Sequence, residues 1–124
     1  MKFAVLISRL LLGLMFIVFG LNGFLHFIPS KPISGLALQY MTVLTISHIF
    51  MVVFLLEIVG GVLLLINRYV PLGLVILAPI LVNILMFHTL MQPAGIPPGL
   101  VATLLWFVVY SSVKSAFVGI LVSK

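Results

Sequence analysis

The stretch ISHIFMVVFLLEIVGGVLLLINRYVPLGLVILAPILVNILMFHTLM, Ile46–Met91, decides the fold, because its only charged side chains are Glu57 and Arg68. On either side of Asn67, Arg68 and Tyr69 lie apolar runs of roughly 20 residues, and at about 1.5 Å per residue each covers the roughly 30 Å hydrocarbon core of a bilayer. Asn67–Tyr69 is too short to be anything but a tight turn. Pro71 suits the first turn of the following helix, where its missing N–H would be unpaired anyway. The stretch therefore reads as two antiparallel membrane helices, residues 46–66 and 70–91.

Working outward, residues 3–27 and 98–122 have the same character, which gives an all-α, integral membrane four-helix bundle in a single domain, 1–124. The first run begins after Lys2 and Arg9 like a secretory signal. It is longer than a signal's apolar region and no small-residue cleavage site follows, so it is expected to remain as a span. Residues 28–45 are the one sizeable connection, an outer loop with Pro29, Pro32 and Gly35. Within it, Leu36–Val43 is a short mixed segment suited to lying along the interface. Gln92–Pro97 is a short uncharged link whose prolines stop one helix and start the next.

Composition makes water the wrong solvent. Of the 124 residues, 65% are hydrophobic and 6% charged, with mean hydropathy +1.50, whereas a soluble surface needs about a quarter charged residues. The net charge of +5 would suggest nucleic acid in a soluble domain, but here the cations stand singly at segment ends and read as topology signals, with no nucleic-acid partner expected. Four spans put Lys2, Arg9, Arg68, Lys114 and Lys124 on one side and Lys31 on the other. The positive-inside rule then makes both termini cytoplasmic. The absence of cysteine removes thiolate, disulfide and iron–sulfur chemistry.

Few residues remain to carry chemistry. Glu57, the only acid, lies about 15 Å from the Arg68 turn, and a carboxyl at that depth must be protonated or partnered. On a helical wheel Arg9, Gly13, Phe16, Gly20 and Gly23 share one side of the first span, a small-residue stripe for close helix contact that also points Arg9 inward. Arg9 is thus the expected partner of Glu57, in a pair that is either structural or functional. Asn83 falls near the depth of Glu57, as interhelical glue or as a ligand contact. Pro79, one turn earlier, should free a backbone carbonyl. Asn22 and His26, a turn apart, and His88 are secondary candidates near the outer face. His48 lies opposite Glu57 on its own wheel, so the three histidines are not expected to form one site, and no metal site is expected. Tyr40 and Tyr69 fit interfacial anchoring, Trp106 a core or ligand-facing place, and Ser111, Ser112 and Ser115 bonds to helix carbonyls.

RLLLGLMFIVFGLNGFLHF at Arg9–Phe27, EIVGGVLLLINRYVPLGL at Glu57–Leu74 and NILMFH at Asn83–His88 together resemble the DoxX family of small bacterial four-helix membrane proteins. The resemblance implies a multi-pass protein of the bacterial cytoplasmic (inner) membrane. Some members of that family are subunits of quinone-reducing complexes such as thiosulfate:quinone oxidoreductase, and others look like assembly or cargo-handling factors. The leading expectation is an accessory protein, not catalytic alone, that offers a quinone or lipid-like ligand a cleft near Arg9, Glu57 and Asn83. It would have no intrinsic cofactor and would rely on a partner oxidoreductase for the redox group. The alternatives are a structural or chaperone-like membrane protein, and a small-molecule transporter, which would need a homo-oligomer because four short spans enclose little pathway.

Overall fold

A computed structural model describes residues 2–29 and 32–123, with the backbone alone at residue 121; Lys31 and Lys124, used above in the topology argument, lie outside the described residues. The described residues form helices and no strand. The helices are α1 (Lys2–Leu25), α2 (Gly35–Ile46), α3 (Ile49–Leu65), α4 (Val70–Leu90) and α5 (Pro97–Val113), the last continued by a 3₁₀ segment, Lys114–Leu121. Three helical stretches, Lys2–Leu25, Val70–Leu90 and Pro97–Ile120, are long and apolar enough to cross a membrane, and there are four if α2 and α3 together make one span.

The difference from the sequence reading lies in that pair. The outer loop 28–45 is helical from Gly35 onward, and α2 meets α3 at an 85° bend. Residues 46–66 therefore do not form one straight helix. Ser47 and His48 break it, His48 sitting in the left-handed region at φ 66°. At 17 residues, α3 is about 25 Å long, shorter than a bilayer core. The break has a local cause, since Ser47 Oγ accepts the Ile49 N–H at 3.4 Å and so competes with helix propagation.

The α3–α4 turn follows the expected pattern. Arg68 N–H donates to Leu63 O at 3.1 Å and Asn67 N–H to Leu64 O at 3.2 Å, a Schellman closure with Asn67 at φ 58°, a conformation asparagine tolerates better than most residues. Pro71 then lies in the first turn of α4.

α1 packs closely on α3 and also touches α5, while α4 packs on the same two helices. Their shared core contains Leu12, Phe16, Leu64, Leu74, Leu77 and Val109, each almost fully buried. The small-residue stripe of α1 faces α3 as the wheel indicated. A Cβ on Gly13 would stand 2.8 Å from Gly61 O, and one on Gly20 would stand 2.9 Å from Phe54 O. These approaches fix an antiparallel register in which Gly13 lies level with Gly61 and Gly20 with Glu57. The outward faces are apolar along their length, with Phe3, Ile46, Leu104 and Phe107 all well exposed. Such a surface is stable in lipid and would aggregate in water. The chain is a membrane protein by this criterion.

Candidate functional site

Register decides which polar residues meet. Arg9 stands level with the C-terminal end of α3, where its Nη1 donates to Leu64 O and, at 3.2 Å, to Leu65 O. Both carbonyls lie in the last turn of α3, at the negative end of the helix dipole, and Leu64 O also accepts the Asn67 N–H. Arg9 therefore caps α3 and does not meet Glu57, which is seven residues, about 10 Å, further along the helix. The wheel had the direction of Arg9 right, but the depth differs.

Glu57 is 5% exposed, held between the glycine stripe of α1 and the facing surface of α4. Its Oε2 is buried and has no hydrogen-bond partner. Most buried polar atoms in folded proteins are paired, and an acceptor left unsatisfied costs about 1–3 kcal/mol. The carboxyl lines a cavity of about 240 Å³ between α2, α3 and α4, and Asn83 and His88 of α4 line the same cavity. Glu57 and Asn83 thus line one cavity without bonding to each other through Asn83 Oδ1, which accepts from the Tyr40 hydroxyl at 2.7 Å. His88 Nδ1 lies 3.0 Å from Gln92 O, and because a carbonyl only accepts, Nδ1 carries the proton and Nε2 is left for other partners.

The aromatic walls of this cavity were not singled out from the sequence. Phe50 and Phe54 stack with centroids 5.0 Å apart, Tyr40 stacks on Phe87 at 5.5 Å, and all four line the cavity. Tyr40 fastens α2 to α4 through a hydrogen bond to Asn83 and a ring stacked on Phe87. The available signal is its place in the mixed segment 36–43, five residues after the turn-forming Gly35. Its partner on α4 follows only once the α2–α3 bend is known.

The secondary candidates divide between two places. Asn22, His26 and His48 line a separate, larger cavity of about 720 Å³ beyond the end of α1, while His88 belongs to the Glu57 cavity. His26 and His48 both hold positive φ, 53° and 66°. A helical wheel could not place His48, since it lies at the break and not on a helix. Asn22 Oδ1 is already taken by the Ile28 N–H at 2.7 Å. Among the described residues no group of three or more His, Cys, Asp or Glu side chains is disposed to hold a metal ion.

Around Pro79 the α4 helix loses one N–H, which leaves the Val75 carbonyl without its usual donor. The indole N–H of Trp106 donates one residue away, to Leu74 O at 3.0 Å, so the disturbed turn is tied to α5. Ser111 and Ser112 donate to Val108 O and Val109 O, at 2.6 and 2.7 Å, as residues of that type do within apolar helices.

Chemically, the Glu57 cavity offers an acceptor at its buried end, an amide and a phenol at its side, an imidazole nitrogen, and flat aromatic walls. Comparison of the chain with family models, with curated proteins and with solved structures finds no match.

Proposed function

We propose that this chain is an accessory membrane protein that binds the ring headgroup of a quinone, or of a similar lipid-soluble ligand, in the cavity lined by Glu57, Asn83, Tyr40 and His88. The observation that carries the reading is the buried, unpartnered Oε2 of Glu57 in an aromatic-walled cavity. A hydroquinone hydroxyl can donate to that oxygen, and a protonated Glu57 can donate to a quinone carbonyl, so one carboxyl serves both redox forms of such a ligand. Arg9 bonds to the end of α3 and does not line this cavity.

In this reading the four apolar stretches form a four-span bundle in a bacterial cytoplasmic membrane with both termini cytoplasmic. The bias of Lys2, Arg9, Arg68 and Lys114 toward one end supports that orientation. The DoxX-like sequence pattern supports a role beside an oxidoreductase that supplies the redox group. Native mass spectrometry of the protein released from mild detergent tests the proposal. The wild-type chain retains added ubiquinone or menaquinone, and Glu57→Gln retains several-fold less. Equal retention by both proteins removes Glu57 from any binding role. Recovery of a crosslinked client protein with no bound quinone would favour the chaperone-like alternative.

A further inference from the structure

A third cavity, of about 590 Å³, lies at the opposite end of the molecule, where the start of α1, the α3–α4 turn and the end of α5 come together. Lys2, Arg9 and Asn67 line its polar side, and Leu6 and Val70 belong to its apolar side. Arg9 spends only Nη1 on the α3 carbonyls. Guanidinium has five N–H groups in a planar fork, so Nη2 and Nε remain as donors. Ser112 also lines the cavity, but its hydroxyl proton is committed to Val109 O, and it adds no donor.

Charge is the second observation. The chain's one acid, Glu57, lies about 10 Å beyond the carbonyls that Arg9 caps, on the far side of the glycine contacts. Among the described residues no carboxylate lines the cavity. Among the described residues, two cations and an amide donor thus line one cavity with no carboxylate beside them, one of the cations two turns inside an apolar helix. A cation at such depth in a membrane recruits an anion, and basic pockets between spanning helices hold acidic lipid headgroups. The apolar side, with Leu6 42% exposed, extends from the cationic end toward the lipid-facing surface, as an acyl chain attached to a phosphate would require.

We infer that this cavity binds the phosphodiester headgroup of an anionic phospholipid, with Lys2, Arg9 and Asn67 as its donors. The site is independent of the Glu57 cavity and rests only on the chain being a membrane protein. Removing one cation from such a contact should weaken binding about fivefold.

The test uses delipidated protein reconstituted into nanodiscs of phosphatidylcholine with or without phosphatidylglycerol, followed by native mass spectrometry of retained lipid. The wild-type protein retains phosphatidylglycerol in preference to phosphatidylcholine. Lys2→Gln and Asn67→Gly, neither of which removes a helix cap, each lower that retention several-fold. Arg68→Gln, an equal loss of charge outside the cavity, leaves it unchanged. The inference is overturned if phosphatidylcholine is retained equally, or if Arg68→Gln lowers retention as much as Lys2→Gln. Displacement of the lipid by inorganic phosphate as effectively as by phosphatidylglycerol would assign the cavity to free phosphate and also overturn it.

Discussion

Replacing Glu57 by methionine should stabilise the ligand-free protein while abolishing its response to ligand. The side chain is 5% exposed and its Oε2 has no partner, so the folded state carries an unsatisfied acceptor worth about 1–3 kcal/mol of lost stability. Methionine keeps Cβ, which packs near Gly20, keeps Cγ, and fills an irregular apolar space without polar atoms. Glu57→Met should therefore raise the unfolding free energy in mixed detergent micelles by about 1–3 kcal/mol, a factor of roughly 5 to 150 in the folding equilibrium. A bound ligand offsets that difference. At a hundred times its Kd it stabilises the wild type by about 2.7 kcal/mol and leaves the variant where it was. A Glu57→Met protein that is less stable than wild type by more than about 1 kcal/mol without ligand would refute the reasoning, since Glu57 would then have a favourable partner within the fold.

The register of α1 on α3 makes Gly61→Ala costly: the new Cβ would lie 2.7 Å from Gly13 O and 3.0 Å from Ile17 N, backbone atoms that cannot swing aside, and a loss of about 1–3 kcal/mol is expected in the same unfolding assay. Gly119→Ala meets nothing within 4 Å and should stay within about 0.5 kcal/mol of wild type. Tyr40→Phe removes the bond to Asn83 and keeps the Phe87 stack; hydrogen exchange should speed up in α2, by about 0.5–1.5 kcal/mol of lost protection, while α1 and α5 are unaffected. A double-mutant cycle between Arg9→Gln and Glu57→Gln should be additive within about 0.5 kcal/mol, because the two side chains act at different depths; strong coupling would restore the ion pair that the structure separates.

The parts of this fold that follow from one-dimensional pattern were legible in the sequence. Apolar run length locates the helices, Pro71 and Asn67 mark the α3–α4 turn, and the glycine spacing picks the face of α1 that meets α3. A wheel gives direction around a helix and says nothing about how far one helix slides along another. That is why Arg9 points inward as read and yet caps Leu64 and Leu65. The break at Ser47 and His48 was equally hidden, because the residues around it are apolar enough to continue a span. Once the chain turns through 85° there, Tyr40 reaches α4 and His48 joins Asn22 and His26. Glu57 and Asn83 could be matched because each depth was counted from the same tight turn, and that short count accumulates little error.

Glu57 is the only acidic side chain of the protein, so its carboxyl can be observed directly. An infrared difference spectrum between ligand-free and quinone-loaded protein in lipid therefore contains a single side-chain carboxyl. If the ligand headgroup bonds to Glu57, the carboxyl band shifts or changes intensity on loading, and the change is missing in Glu57→Gln. Quinone binding with the Glu57 band unmoved would contradict the assignment of this cavity as the site.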